Sequence, residues 1–237
     1  TKTSRHLPND LEPLPMNNNI KYMSAADAVK LIKSGDHVVI QGSTSIPETL
    51  VAAMADRGDE LRGVVLYSGF AVAKGPAPYC RPEYKDSFLV ESIFVSNSVR
   101  RWIAERYGTM IPRFLGEVPA LFRDGTCPVD VALINCSLPN EDGYVSFGVS
   151  ADIATSGVEC AKTVIAQINP HMPFSYGDPV IHVSRLAAAV AVDDPLVEVP
   201  TAEPTPDEIA IGNYIAERIP DGATLQIGVG GIPNAVL

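Results

Sequence analysis

The chain is short of cysteine and of positive charge, and it has no long apolar run. Four cysteines (Cys80, Cys127, Cys136 and Cys160) are widely spaced, with no Cys-x-x-Cys. That pattern argues against a disulfide framework or a zinc site. It suits small buried hydrophobes in a reducing compartment, so a cytoplasmic location is expected. Lys and Arg number 18 against 28 Asp and Glu, a net charge of −10. Such a balance argues against nucleic acid or an anionic membrane as a partner, while leaving room for one local basic pocket for a phosphorylated cofactor. No apolar stretch approaches the roughly 20 residues of a membrane span. The polar, Pro- and Asn-rich start, Thr1 to Asn19, has no signal-peptide core and reads as a flexible arm. His37, His171 and His182 lack a His-x-x-x-His spacing. Structural roles are expected for all three, and no metal site.

What is present is an ordinary globular composition, 46% apolar and 19% charged over 237 residues. That length suffices for a sizeable core and for one or two domains. Ser24 to Gly35 reads as a helix with Ser24 as N-cap and Gly35 as its stop. His37 to Gln41 is a β-branched run typical of a buried parallel strand. After the small-residue loop Gly42 to Ile46, Pro47 opens a helix to Met54, with Glu48 near the positive end of its dipole. Strands are expected at Gly63 to Ser68, Phe88 to Ser96, Asp130 to Cys136, Tyr144 to Phe147, Lys162 to Asn169, Val180 to Val183 and Ala187 to Val192. Helices are expected at Ser98 to Tyr107, Glu117 to Arg123 and Ser150 to Ala161. The alternation predicts an α/β fold, a mostly parallel sheet flanked by helices.

Asp194 to Asp207 carries four prolines. The stretch is incompatible with helix or central strand and reads as a semi-rigid linker at a domain boundary. The expected organisation is an arm at 1–20, an α/β domain at 21–193, a linker at 194–207 and the start of a second domain at 208–237. A helix from Glu208 to Arg218 opens that last part. Thr224-Leu-Gln-Ile-Gly-Val-Gly-Gly-Ile-Pro-Asn-Ala-Val-Leu237 then reads as a buried strand, a glycine turn and a helix opened by Pro233. Gly42, Ile46 and Pro47 align without gaps on Gly228, Ile232 and Pro233, which points to an internal duplication. Isolated helices shorter than roughly 12–15 residues are marginal, so the chain is expected to be a piece of a longer protein.

The glycine turn has two readings. Gly228, Val229, Gly230, Gly231 and Ile232 aim free N–H groups and a helix N-terminus at one point, a place for phosphate or for an oxygen that becomes negative during reaction. A tight strand–helix turn with no ligand has the same composition, and the residues alone leave both open. The dinucleotide fingerprint does not fit, because Pro233 stands where its third glycine belongs. Gln226 and Gln41 are amides at the carboxyl ends of two strands, where open α/β sheets bind ligands. Either lines a pocket or satisfies loop carbonyls. Asn97 is a candidate of the same kind. Glu48, Glu91, Glu117 and Glu159 read as solvated or capping carboxylates, Cys136 as core, and Met172 to Asp178 as cover for the core edge.

Ser34-Gly-Asp, Gly42-x-x-x-Ile-Pro47, Gly143-Tyr-Val-Ser-Phe-Gly148, Ala166-Gln-Ile-Asn169, Met172-Pro173, Gly177-Asp178, Ile181-His-Val-Ser184 and Gly228-x-Gly-Gly-Ile-Pro-Asn-Ala-Val236 together resemble the acetyl-CoA hydrolase/transferase family. Within it, the 4-hydroxybutyrate and butyrate/acetate CoA-transferases are most similar. The resemblance implies two similar α/β domains with the active site between them, this chain holding the first and the opening of the second. It implies ping-pong transfer of coenzyme A from an acyl-CoA to a small carboxylic acid through a glutamyl-CoA thioester. Coenzyme A is then a substrate, with no permanent cofactor and a homodimer as the expected assembly. Gly228 to Ile232 match the CoA-contacting segment, and Gln226 the pocket amide beside it. The nucleophilic glutamate is expected beyond Leu237, so no residue here is assigned to catalysis, and the chain alone should be inactive. An acyl-CoA hydrolase and a non-catalytic CoA-binding domain are the alternatives. A nucleotide or sugar-phosphate enzyme is a further one.

Overall fold

The computed structural model describes residues 20–73, 75–199 and 202–237, which fall into two compact units divided between Val197 and Glu198. The expected arm at Thr1 to Asn19 lies outside the described residues. The first unit is built on a seven-stranded sheet. Its strands are β1 (His37–Ile40), β2 (Val64–Ser68), β3 (Phe88–Ser92), β4 (Gly108–Met110), β5 (Val131–Cys136), β7 (Thr163–Ile168) and β9 (Ala188–Ala191). They lie in the order β4-β3-β2-β1-β5-β7-β9, and every pairing is parallel. A separate antiparallel pair joins β6 (Tyr144–Ser146) to β8 (Val180–His182).

Both faces of the main sheet are covered, as a parallel sheet requires. Alternate residues of β1 divide between them. Val38 and Ile40 join the core under α1 (Ala25–Ala28), α2 (Glu48–Ala55) and α3 (Asn97–Ala104). Val39 joins the core under α4 (Val118–Arg123) and α5 (Ala154–Cys160). Leu50, Leu66, Phe88, Leu133 and Ile165 are fully enclosed, and each contributes about 1.5–3 kcal/mol of hydrophobic stabilisation.

Most expected elements form, with shorter ends. The first helix gives way after Ala28 to a 3-10 turn, Val29–Leu31. The strand expected over Phe88 to Ser96 stops at Ser92, and the helix expected over Ser150 to Ala161 starts only at Ala154. β4 carries only three residues at the sheet edge, mostly exposed. Its sequence has neither alternation nor an apolar run, so nothing in the composition marks it.

The second unit holds α6 (Pro206–Ala216) and α7 (Gly231–Val236). Thr205 caps α6 reciprocally: its hydroxyl accepts from the Glu208 N–H, and the Glu208 carboxylate accepts from the Thr205 N–H at 2.7 Å. Two expectations are corrected here. Pro206 and Asp207, read as linker, belong to α6, since proline is tolerated at the first helical position. Thr224 to Ile227 is not a buried strand: the segment has no regular secondary structure and is exposed, with Leu225 45% and Ile227 39% accessible. A strand needs a neighbour for its N–H and C=O groups, and the described residues of 198–237 contain none. The strand–loop–helix order expected in both halves is formed only around β1.

Two contacts give tests of this fold. Gly157 in α5 lies so close to β1 that an added Cβ would fall 2.7 Å from Val39 Cγ1. Gly157→Ala should lower stability by about 1–3 kcal/mol through overpacking, less a helix-propensity gain of about 1 kcal/mol. Urea midpoints with an unchanged slope would show it. Asp130 joins the starts of three strands: its carboxylate accepts from the His37 N–H at 2.9 Å and from Lys162 Nζ at 2.7 Å. Burial raises this carboxyl, but Lys162 and the His37 N–H outweigh it and hold the group below its usual 3.8. A carboxyl held low adds stability above its unfolded pKa and loses it as pH falls. From about pH 5 to pH 3 the thermal midpoint of the wild type should drop more steeply than that of Asp130→Asn. Parallel curves would remove Asp130 from the acid response.

Candidate functional site

In an open α/β sheet the ligand crevice lies outside the carboxyl ends of the strands, where the strand order reverses. Here the order runs outward from β1 through β2, β3 and β4, and the other way through β5, β7 and β9. The switch point is thus between β1 and β5, and Gln41 is the first residue beyond β1.

Gln41 is wholly enclosed, at 0% exposure. Its amide nitrogen donates to the carbonyl oxygens of Phe147 at 3.0 Å and Ser150 at 2.7 Å. Its amide oxygen accepts from the Asn135 N–H at 2.7 Å. The side chain borders a cavity, yet its hydrogen-bonding groups are committed to the protein. It locks β1, β5 and the loop after β6 together.

The loops around it converge because Gly42 has no side chain. An added Cβ there would fall 2.5 Å from the Phe70 carbonyl oxygen and 2.7 Å from Asp152 Oδ2. Ser43, with φ 55°, donates its N–H to that same Phe70 carbonyl. The Val72 N–H returns to the Ser43 carbonyl at 3.0 Å. The loop after β1 is in this way tied to the loop after β2.

A cavity of about 310 Å³ lies beside this junction, lined in part by Ala71, Ala73 and Gly75 to Tyr79. Ile40, Val51, Ala52 and Tyr79 give it apolar walls, with Ser68, Ser98, Gln41 and Glu48 as polar points. Its lining suits a short apolar chain ending in one or two polar groups. Asn97 opens α3 and is exposed, and its neighbour Ser98, not Asn97, lines the cavity.

Nearby strands carry polar atoms that composition did not flag. Asn135 and Gln167 are register partners on β5 and β7. Asn135 Oδ1, Gln167 Oε1 and Ser45 Oγ are buried with no hydrogen-bond partner among the described residues. The signal was an amide interrupting each apolar run, Leu-Ile-Asn-Cys and Ile-Ala-Gln-Ile. Cys136, in the same strand, is fully buried, and burial pushes its thiol up. Cys80 is pushed up to about 12 for the same reason. Neither carries the lowered pKa of a reactive thiolate.

In the second unit, the backbone N–H groups from Gly228 to Ile232 donate to no protein acceptor among the described residues. Gly230 has φ 145°, open to glycine alone. Gly231 leaves room for a carboxylate: its added Cβ would meet Glu208 Oε1 at 1.9 Å. Gln226 is exposed. Gln226, Gly228 and Ile232 line one groove of about 310 Å³, with Ile215, Leu225 and Val236. The structure therefore gathers these expected residues, leaving Gln41 and Asn97 in the first unit. Among the described residues there is no cluster of three metal-ligating side chains. No helix there is long and apolar enough to cross a membrane.

These features define the class: a doubly wound α/β domain with its candidate site at the carboxyl edge of a parallel sheet. Residues 16–202 match the acetyl-CoA hydrolase/transferase N-terminal domain, and the chain belongs to that family. It is 38% identical over 217 residues to the 4-hydroxybutyrate coenzyme A transferase of Clostridium kluyveri, a match covering 92% of this chain and 50% of that protein. The crystal structure of RipA from Yersinia pestis superposes with a TM-score of 0.82 at 29% identity, covering 91% of this chain and 52% of the other. The 4-hydroxybutyrate CoA-transferase from Porphyromonas gingivalis superposes at 0.73, with 35% identity and coverage of 91% and 50%. The chain spans about half the length of the curated relatives it matches.

Removing the Gln41 amide strands one N–H and two carbonyls inside the protein. Gln41→Ala should therefore cost at least about 2 kcal/mol of stability, measured by denaturant unfolding. A loss below about 0.5 kcal/mol would mean that water or rearrangement replaces the lock.

Proposed function

We propose that the full-length protein is a CoA-transferase, moving coenzyme A from a short-chain acyl-CoA to a free carboxylate such as acetate or 4-hydroxybutyrate. The carrying observation is family membership, with relatives at 31–38% identity that are themselves named CoA transferases for 4-hydroxybutyrate, butyrate and acetate. Residues 21–193 would form the first α/β domain, 194–207 the linker and 208–237 the start of the second domain.

The chemistry would run through a glutamate outside this chain. Its carboxylate attacks the thioester carbonyl, forming an acyl–glutamyl anhydride and releasing CoA thiolate. The thiolate then attacks the glutamyl carbonyl, which releases the acyl group as its carboxylate and leaves a glutamyl-CoA thioester. An incoming acid reverses both steps. The unbonded amides of Gly228, Val229, Gly230, Gly231 and Ile232 would stabilise the oxygen that becomes negative, with Gln226 as a pocket amide beside them. Coenzyme A is the substrate throughout. The absence of disulfides among the described cysteines supports a reducing, cytoplasmic setting. A homodimer is the assembly we assign to the whole protein.

The test is thioester consumption by the full-length protein with and without acetate. Loss that requires acetate, together with a borohydride-trappable glutamyl-CoA adduct seen by mass spectrometry, is the expected result. Loss independent of an acceptor acid would make the protein a hydrolase instead.

A further inference from the structure

A second cavity, of about 400 Å³, opens at the carboxyl ends of the strands next to the one described above. Its lining joins five segments. Ser43 follows β1, Phe70 follows β2, Ile93 and Phe94 follow β3, and Ser150 and Asp152 precede α5; Arg113 and Leu115 close the rim.

Four features mark it as built for a ligand. Ser43 and Asp152, with φ 55° and 33°, are two of the three non-glycine residues with positive φ among those described, and both line this cavity. Such conformations cost free energy, and they gather at ligand sites. Asp152 lies in its wall with no cation paired to it among the described residues. Only the Ile153 N–H donates to its carboxylate. Its Oδ2 occupies the room left by the missing side chain of Gly42, and burial pushes the carboxyl up. Arg113 lines the cavity and is exposed; it is in no salt bridge among the described residues, and its charge helps hold the Asp124 carboxyl low. Between them, Phe70 and Phe94 meet edge-to-face at 5.3 Å, with Ile93 and Leu115 completing an apolar wall.

One guanidinium at the mouth of an aromatic pocket matches a small anion with an apolar tail. The several negative charges of a coenzyme A diphosphate would need more cations than this chain offers here. Building on the transferase reading, we propose that this cavity holds the free carboxylic acid, with Arg113 on its carboxylate and the Phe70–Phe94 wall on its alkyl chain. Asp152 closes the inner end. A second carboxylate there would face Asp152, so the cavity prefers monocarboxylic to dicarboxylic acids.

The test uses the full-length protein and the variants Arg113→Gln, Arg113→Lys and Asp152→Asn. Arg113→Gln should raise KM for butyrate by about 10–100-fold, leave KM for the acyl-CoA within about twofold, and be partly rescued by Arg113→Lys. Asn tolerates the left-handed backbone at position 152, so Asp152→Asn should keep the loop. It should raise kcat/KM for succinate relative to butyrate by about tenfold. An unchanged butyrate KM in an active Arg113→Gln enzyme overturns the assignment and leaves the transferase reading standing. Should the protein transfer no CoA at all, saturation-transfer NMR with butyrate tests the cavity by itself. A signal in the wild type that Arg113→Gln abolishes supports the site, and an equal or missing signal overturns it.

Discussion

A parallel strand buried on both faces can meet no water, so all of its polar backbone must be satisfied by neighbours and all of its side chains by packed helices. That constraint organises the first unit. Val38, Val39 and Ile40 serve two cores within three residues. The pairing of β1 with both β2 and β5 places the middle of the sheet where helices approach from each side. Gly157 in α5 follows from the same demand, since only a residue without a side chain lets the helix lie against Val39.

The carboxyl edge is the place where this burial ends and loops begin. Three of those loops meet at Gly42, with the Phe70 carbonyl and the Asp152 carboxyl in the space a side chain would have filled. The close meeting creates cavities on either side of one junction, one lined by Ile40 and Tyr79, the other by Phe70 and Phe94. Gln41 holds the junction by tying β1 to Asn135 and to two loop carbonyls. The buried sheet sets the positions of the loops, and chemical variety is left to those loops, as is usual for folds of this kind.

Much of this was legible in the residues. The β-branched runs at Val38, Val131 and Val164 are strands, and the helix after Pro47 lies where its turn signal puts it. The family resemblance is borne out by the match over residues 16–202, a span that ends before the Gly228 to Val236 motif. Where the reading failed, the cause was partnership. Leu225 to Ile227 has the composition of a buried strand, but the described residues of 198–237 hold no strand for it to pair with, and it stays irregular and exposed. Gly108 to Met110 has no strand signature, yet it pairs with β3 because the fold brings it to the sheet edge. Arg113 and Asp152 escaped notice because neither stands in a motif. Only the meeting of their loops makes them neighbours of one cavity.

By itself the sequence determined the fold class, the family, the alternation of strands and helices and the glycine turn from Gly228 to Gly231, because local periodicity and turn chemistry are written in adjacent residues. The tertiary structure alone decided that the Gln41 amide is spent on Phe147, Ser150 and Asn135. It alone decided that Asn135 sits across from Gln167, and that Gly42 makes room for Asp152. Those facts join residues up to about a hundred positions apart, and only packing determines which distant groups are brought together.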